Sequence, residues 1–193
     1  MENIKIGFKT FEVKEELKEN TYKAYRKNKV YFVRMFPNDL KGYNHYLNLR
    51  MKFKNNGVKH PKIVAKDNKK LIVVSEYIDG PTVMDLLIKS DLDEKIYEKM
   101  FLMTYIAKIE HKTLNYDPEL YRFDGNELYY LGTELFDYKE ENKFIDKGIR
   151  LWFYTREFSE LLIEKGLPIN KDRIKQDFAI NKQIVLMTCK YYH

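Results

Sequence analysis

Three carboxylates in the second half of the sequence are of the residue type that binds divalent cations. Asp117, Glu119 and Glu134 fall within one short stretch. Mg²⁺ needs only one or two protein carboxylates when phosphate oxygens complete its coordination, so these residues are candidate metal ligands. The alternative interpretation is that they are turn and surface acids, because Asp117-Pro118 is an ordinary turn-initiating pair.

Other residue types that could do chemistry lack a supporting context. The four histidines show no metal-ligand spacing, and the serines lack the flanks of a nucleophile elbow. Cys189 is the only cysteine, which excludes a disulfide within the chain and argues against a thiolate metal cluster. A single cysteine also favours a reducing compartment.

The composition suits one domain, or one domain made of two lobes. The chain has 193 residues, and 15% of them are aromatic, including sixteen tyrosines. Tyrosine can bury its ring while its hydroxyl stays wet, so we expect a Tyr-rich surface that contacts a partner protein. The net charge of +6 permits RNA binding by a basic face. However, lysine alternates with glutamate, which indicates a solvated surface, and nucleic acid is therefore not the favoured partner.

The N-terminal sequence bears on localisation. Residues 1–17 contain no uninterrupted apolar h-region and do not read as a signal peptide. No apolar run approaches the roughly 18 residues that span a bilayer. The sequence therefore predicts a soluble, cytoplasmic protein that does not enter a membrane.

The predicted secondary structure is mostly strand up to residue 78 and mostly helix after it. Strand patterns cover 8–17, 22–27, 29–36, 62–67 and 70–78, and one helical pattern begins at 37–39 and stops at 55–57. Later helical patterns cover 82–90, 91–111, 147–165 and 170–191, and the strands 121–123 and 127–131 form a hairpin that turns at Asp124-Gly125-Asn126. This order predicts an α+β fold with two lobes, 1–78 and 79–193.

Three phrases in this order resemble parts of the protein kinase fold. A phosphate-loop hairpin followed by the lysine strand resembles the phrase EELKENTYKAYRKNKVYFVRMF. The stretch from helix αC to the hinge resembles the phrase NNGVKHPKIVAKDNKKLIVVSEYIDG. LNYDPELYRFDGNELYYLGTEL is similar to the catalytic loop and metal-binding turn. The chain resembles the atypical small kinases: RIO-type kinases, lipopolysaccharide-core sugar kinases, and the kinase that accompanies the tRNA threonylcarbamoyl machinery. The resemblance implies a β-rich N-lobe with one helix, a mainly helical C-lobe and, if the protein is active, ATP with Mg²⁺ or Mn²⁺.

The resemblance also implies nucleotide-binding roles in the N-lobe and hinge. The candidate residues are Lys18, Lys23, Arg34, Glu76 and Ile78. Arg34 replaces the strand lysine, and Tyr46 falls near the position of the helix glutamate, so the usual ion pair is expected to be absent. The phosphate-loop stretch contains no glycine, although Asn20 can adopt the left-handed turn. An ordinary hairpin is the competing interpretation.

The catalytic loop departs further from the kinase pattern. Alignment on Asp124-Gly125 puts Gly132 at the metal-binding aspartate of D-F-G, Leu120 at the metal-binding asparagine and Asn115 at the catalytic base. A slightly shifted alignment makes Asp117 the residue that positions the acceptor hydroxyl, with the metal on Glu119 and Glu134. Each of these roles is implied by the resemblance.

Two functions from different classes remain open after this comparison. A kinase-like binding or regulatory protein, a pseudokinase, explains why four catalytic features are lost together. It would engage a partner protein through its cleft or its Tyr-rich surface. An active atypical phosphotransferase would use Arg34 for phosphate, Asp117 for the acceptor and Glu119 or Glu134 for the metal.

Overall fold

The computed structural model describes residues 3–191, with the side chains of Lys18 and Asn142 outside the described part. The chain divides into two compact units. The sheet unit comprises Met1–Lys52 and His60–Ile78, and the helical unit comprises Phe53–Lys59 and Asp79–His193. Their elements together make a mixed α/β protein.

Six strands form an antiparallel sheet in the sheet unit. They are β1 (Asn3–Ile6), β2 (Lys9–Lys18), β3 (Thr21–Arg26), β4 (Lys29–Met35), β5 (Ile63–Asp67) and β6 (Ile72–Glu76), in the spatial order β1-β2-β3-β4-β6-β5. The predicted turn at Lys27-Asn28 is confirmed, because both residues have positive φ and the flanking residues Arg26 and Lys29 pair across the hairpin. This is the conformation of a two-residue hairpin loop that matches strand twist.

Strand β1, which forms one edge of the sheet, was not predicted from the sequence. Ile4 and Ile6 are buried, whereas the residues between and before them are exposed. Near the same edge, Lys9 Nζ donates a hydrogen bond to the carbonyl of Val64 in β5 at 2.7 Å. The two edges of the sheet thus approach each other around one apolar core. That core contains Ile4, Ile6, Phe11, Ala24, Val33, Ile72 and Val74.

One helix, α1 (Leu40–Asn55), packs on the sheet. It begins after Asp39, whose Oδ1 accepts the N–H of Gly42 at 2.8 Å, as expected of a residue that caps a helix. It ends before Gly57, which has a φ of +64° and adopts the left-handed conformation typical of a helix stop. Tyr43 and Tyr46 of α1 pack against Val73 of β6.

Four helices belong to the helical unit. They are α2 (Val83–Lys89), α3 (Glu94–Ile109), α4 (Arg156–Glu164) and α5 (Asp177–Tyr191). The predicted N-cap of α2 is confirmed: Thr82 Oγ1 accepts the N–H of Asp85 at 3.0 Å, and the Asp85 carboxylate accepts the N–H of Thr82 at 2.9 Å. This reciprocal pair is a capping box. Helix α3 begins after Asp93, two residues beyond the predicted Asp91.

Two short antiparallel strand pairs carry the predicted catalytic segment. The hairpin β8 (Tyr121–Phe123) with β9 (Leu128–Tyr130) turns at Asp124-Gly125-Asn126 as predicted. The pair β7 (Lys112–Thr113) with β10 (Phe136–Asp137) was not predicted. Such two-residue strands lack an alternating pattern long enough to read from sequence.

The predicted helix over 147–165 is wrong in its first half. The structure has a 3₁₀ turn at Gly148–Trp152, extended backbone at Phe153, and only then α4. Thr155 causes this break, because its hydroxyl donates to the carbonyl of Arg150 at 2.7 Å and accepts the N–H of Phe158 at 3.1 Å. The predicted helix over 170–191 likewise begins as a 3₁₀ turn at Lys171–Arg173 and becomes α5 later.

The tyrosines contribute more to the interior than the sequence suggested. Of the tyrosines in residues 3–191, six are buried and one, Tyr105, is exposed. The buried ones are Tyr43, Tyr46, Tyr97, Tyr121, Tyr130 and Tyr154. The other described tyrosines are half-buried, and the Tyr-rich partner surface stays a prediction. Across residues 3–191, no helix has both the length and the apolar character needed to cross a bilayer.

Candidate functional site

Arg34 lies on β4, between Thr21 of β3 and Val73 of β6 in the strand register. It is half-buried, and its guanidinium lies 5.3 Å from the centre of the Tyr46 ring on α1. An aromatic ring carries partial negative charge on its face and attracts a cation placed over it. Tyr46, which the sequence puts near the helix-glutamate position, is thus a partner of Arg34.

A second arginine, Arg50, shares the same ring. Its guanidinium lies 4.7 Å from the centre of the Tyr46 ring, and its Nη2 donates a hydrogen bond to the Tyr46 hydroxyl at 3.0 Å. We call Arg34, Tyr46 and Arg50 the arginine–tyrosine cluster. Sequence reasoning missed Arg50, although residues four apart on a helix share a face and this spacing from Tyr46 was a usable signal.

The electrostatics of this cluster are dominated by positive charge. Burial lowers the pKa of Arg34 from its ordinary value, Tyr46 opposes that shift, and the positive charge of Arg50 adds to it. Among residues 3–191, no carboxylate lies within ion-pair distance of Arg34. The partner of Arg34 in this unit is therefore an aromatic ring, through a cation–π contact.

The loop that corresponds to the phosphate loop is a tight hairpin turn. Lys18 pairs with Thr21 across the strands, so only Glu19 and Asn20 form the turn. Asn20 has a φ of 57°, which confirms the predicted left-handed conformation. Its carbonyl accepts the N–H of Met35 on β4 at 2.9 Å. The geometry is that of a two-residue hairpin turn with a register shift beside it, between Glu16 and Lys18. The Lys18 side chain is outside the described part of the structure.

The other nucleotide-binding candidates in the sheet unit have local partners. Lys23 Nζ lies 5.2 Å from the centre of the Tyr77 ring, and Tyr77, followed by Tyr25, raises the pKa of Lys23 above its ordinary value. Glu76 Oε2 accepts the backbone N–H of Lys62 at 3.1 Å. Ile78 is half-buried at the last position of the unit.

In the helical unit, Asn115 and Asp117 shape the segment before β8. Asn115 Oδ1 accepts the N–H of Asp117 at 3.0 Å, and Asp117 Oδ1 accepts the N–H of Glu119 at 3.0 Å. Asp117 thereby caps the 3₁₀ turn Pro118–Leu120. Tyr121 donates its hydroxyl hydrogen to the carbonyl of Asn115 at 2.6 Å. Both polar side chains therefore hold the turn, as the alternative interpretation of Asp117-Pro118 expected.

Lys165, at the end of α4, lies between two predicted site residues. Its Nζ is 2.8 Å from Asp117 Oδ2 and 2.6 Å from Glu119 Oε2. Burial alone would lower the pKa of Lys165, but the hydrogen bonds to the two carboxylates outweigh it and raise the pKa. We call these three residues the carboxylate–lysine cluster. No sequence signal reveals it, because Lys165 comes 46 residues after Glu119.

Gly132 occupies the position at which the alignment expects the metal-binding aspartate. A Cβ atom on Gly132 would overlap the ring and the hydroxyl oxygen of Tyr130. Tyr130 is fully buried, and its hydroxyl donates to the carbonyl of Glu134 at 3.0 Å. The turn that would hold a metal ion is therefore closed around a tyrosine, which leaves no room for any side chain at residue 132.

The candidate metal ligands Glu119 and Glu134 have different surroundings in the structure. Glu134 is exposed, and its described interaction is made by its carbonyl. Glu119 is paired with Lys165. Within residues 3–191, no group of three histidine, cysteine, aspartate or glutamate side chains is placed to hold a metal ion. The metal roles of Glu119 and Glu134 stay predictions.

Comparison with known proteins supports the fold and nothing finer. No protein-family model matches the chain, and no curated protein matches it. A solved structure, the co-crystal structure of WbdD and the kinase inhibitor LY294002, matches 99% of this chain with a TM-score of 0.54 and 11% sequence identity. This chain spans about half of that protein, 48% of its length. At this identity the likeness concerns the fold alone, and it fits a kinase-like arrangement broadly.

Proposed function

We propose that this protein is a kinase-like binding module that does not transfer phosphoryl groups. Phosphoryl transfer depends on positioning and on electrostatic stabilisation by metal ions and cations, so the metal-binding groups are its least dispensable part. The proposal therefore depends on which residues of the helical unit stand at the metal-binding positions of the kinase pattern.

The observation that carries the proposal is the packing of Gly132 against Tyr130. In the kinase pattern, the aspartate of D-F-G holds the metal ion. Here the side-chain volume at that position is taken by a buried tyrosine ring, and the hydroxyl of this ring is bonded to the carbonyl of Glu134. A carboxylate cannot be restored at residue 132 without moving a ring that is part of the core.

The remaining carboxylates do not fit a divalent cation either. Asp117 and Glu119 both contact the Lys165 ammonium, which supplies the positive charge that a metal ion would otherwise bring. A cation that belongs to the chain neutralises the carboxylates permanently and needs no phosphate to complete its shell.

A thermal-shift titration with ATP tests this proposal. A ligand that binds the native state stabilises it by RT ln(1 + [L]/Kd), about 2.7 kcal/mol at a hundredfold excess over Kd. We expect the melting temperature to be unchanged by roughly millimolar ATP, with or without Mg²⁺ or Mn²⁺. A metal-dependent rise, abolished in Arg34→Met, would overturn the proposal in favour of an enzyme.

An active atypical phosphotransferase remains the second candidate, and one observation favours it. Arg34 keeps the positive charge of the strand lysine and has no ion-pair partner among residues 3–191, so an anion could compensate it. Transfer of phosphate from radiolabelled ATP to a mixture of hydroxyl acceptors would support this candidate. The matched control is Arg34→Met, which removes the guanidinium and keeps an apolar side chain of similar length.

A further inference from the structure

The helical unit contains an open groove beside the strand pair β7–β10, with a volume of about 600 Å³. We call it the β7–β10 groove. Its lining residues come from three segments, 113–116, 136–139 and 147–151. The ring of Tyr116 forms part of one wall, and the backbone of Gly148 lies so close to this ring that a Cβ atom would overlap it. The wall is therefore fixed by packing.

The charge of the groove is positive. Its one acidic lining residue is Asp137, and Asp137 Oδ1 lies 2.5 Å from Lys112 Nζ. Lys139 and Lys147 also line the groove, and both are exposed. Among the described side chains, neither of these two lysines pairs with a carboxylate. Among the described side chains, these two ammonium groups are thus exposed without an ion-pair partner, while Asp137 is already paired with Lys112.

The same groove exposes apolar surface. Phe136 keeps 45% of its surface exposed although it belongs to a strand, and Leu151 is half-buried on the opposite segment. Aromatic side chains are enriched in the cores of protein interfaces, where they act as anchors. An exposed phenylalanine with two uncompensated lysines is complementary to a chain segment that offers both a carboxylate and an apolar side chain.

We propose that the β7–β10 groove binds an acidic segment of a partner protein that carries an apolar anchor residue. The proposal rests on the proposed function, because it names the kind of partner that a non-catalytic module of this shape would engage. A peptide segment is favoured over a small anion because the two lysines are exposed and come from different segments that line an open groove. A site for a small phosphate or carboxylate would instead converge several donors on one point.

A binding assay with a synthetic peptide tests this inference. The probe is a fluorescein-labelled peptide of alternating glutamate and leucine with one central phenylalanine, measured by anisotropy. We expect Lys139→Glu with Lys147→Glu to weaken its binding by about tenfold or more, because like charges would then face each other. The matched control is Lys171→Glu with Lys182→Glu, which changes two exposed lysines outside the groove and should leave the affinity within about twofold.

The apolar contribution is tested separately. Phe136→Ser should weaken binding of the same peptide by about fivefold or more, and a peptide of glutamate and serine alone should bind the wild-type protein about as weakly. Absence of peptide binding at roughly millimolar concentration, or equal loss in the groove and control double variants, overturns the inference. So does displacement of the peptide by inorganic triphosphate at roughly equimolar concentration, which indicates a small-anion site. None of these results depends on nucleotide, whereas failure of the proposed function appears as an ATP-dependent thermal shift.

Discussion

Two clusters stabilise charged side chains in different ways. The arginine–tyrosine cluster of the sheet unit holds positive charges, and the carboxylate–lysine cluster of the helical unit holds negative charges. In the first, two guanidinium groups share one aromatic ring, with no carboxylate paired to Arg34 among residues 3–191. In the second, one ammonium group is shared by two carboxylates. In a working kinase the strand cation pairs with a helix glutamate, and the loop carboxylates hold metal ions. Here each unit compensates its charges with its own residues.

The two clusters also differ in their exposure to solvent, which decides how much each contributes to stability. Tyr46 is 5% exposed and Arg50 is 7% exposed, whereas the side chains of the second cluster range from 22% exposed for Asp117 to 56% for Glu119. Ion pairs open to water contribute little, because solvent screens them. Buried aromatic contacts lose apolar packing as well as charge attraction when they are broken. We therefore expect damage to the first cluster to be the more costly.

The largest effect is expected from Tyr46→Ala. It removes a buried ring that packs against Phe36 and Val73 and holds both guanidinium groups, so we expect a loss of about 3–5 kcal/mol in the free energy of unfolding. Urea denaturation followed by circular dichroism measures it. The matched control is Phe8→Ala at a fully exposed position of the same unit, with a change of about 0.5 kcal/mol.

A double-mutant cycle isolates the charge contribution within that loss. Arg34→Met in the wild-type and in the Tyr46→Leu background should show a coupling of about 0.5–2 kcal/mol between guanidinium and ring. Strict additivity of the two substitutions would mean that the Arg34–Tyr46 contact contributes nothing to the free energy of unfolding. The Tyr46 ring would then not stabilise the charge of Arg34, and the comparison with the carboxylate–lysine cluster would fail.

The next largest effect is expected from Gly132→Asp, which restores the missing carboxylate. The new side chain must displace the buried ring of Tyr130, so we expect destabilisation of about 2–3 kcal/mol and no gain in metal-dependent ATP binding. Gly125→Asp is the control. It has open space around it but a φ of +95°, so backbone strain alone should cost about 1 kcal/mol. Equal costs at the two positions would contradict the packing argument.

The elements whose signals are local could be predicted from the sequence. The Asp124 turn, the Thr82 cap and the Asn20 turn each depend on one residue type and its immediate neighbours, and the structure has all three. The helix predicted over 147–165 failed because its apolar run resembles a helix, while tertiary hydrogen bonds require extended backbone there. Tyr97 donates to the carbonyl of Trp152 at 2.7 Å, and that contact is invisible in sequence.

The candidate site was predictable only where a family pattern could be laid on the chain. That pattern placed Tyr46 near the helix-glutamate position, which in a kinase pairs with the strand cation. In the structure Tyr46 contacts Arg34. It also placed Gly132 at the aspartate position, but nothing in the sequence shows that the ring of Tyr130 fills the space. Lys165 could not be assigned to Asp117, because pairing across so many residues depends on how α4 packs.

A smaller effect is expected from Lys165→Met, which leaves two carboxylates without their shared cation. The pairs are partly exposed, so we expect a loss of about 1 kcal/mol that shrinks at about 1 M salt, where the Debye length is about 3 Å. Lys171→Met is the matched control at an exposed lysine of the same unit, with a change within about 0.5 kcal/mol. An unchanged stability in Lys165→Met would remove the second half of the comparison.

The same variant tests whether the lysine stands in for a metal ion. Electron paramagnetic resonance of free Mn²⁺ should show no binding to the wild-type protein and weak, roughly millimolar binding to Lys165→Met. Lys165→Arg is a useful third variant, because it keeps the charge and should behave like the wild-type protein. Mn²⁺ binding to the wild-type protein at the same affinity would contradict the idea that the ammonium occupies the carboxylates.

The smallest effect concerns Asp124, a carboxylate of the same unit that is held mainly by backbone N–H groups, with smaller contributions from the Tyr129 side chain and the positive charge of Lys59. Its Oδ1 accepts the N–H of Asn126 at 2.9 Å and of Glu127 at 2.7 Å. Burial alone would raise the pKa of Asp124, but these hydrogen bonds outweigh it and lower the pKa below its ordinary value. A lowered pKa in the folded state means that the carboxylate stabilises the fold above its unfolded pKa of about 3.9 and loses this contribution as the pH falls through the folded value.

Asp124→Asn keeps an oxygen acceptor and removes the charge. We therefore expect the wild-type protein to be more stable than this variant by a few tenths of a kcal/mol near neutral pH, with the difference vanishing as the pH falls below the lowered pKa of Asp124 in the folded state. Urea denaturation at several pH values measures it. Salt should change this difference less than it changes the Lys165→Met difference, because the donors are fixed dipoles close to the oxygen and not a mobile ion pair. Equal salt sensitivity of the two would mean that the carboxylates of the helical unit are all held by diffuse charge, and that Lys165 has no special role among them.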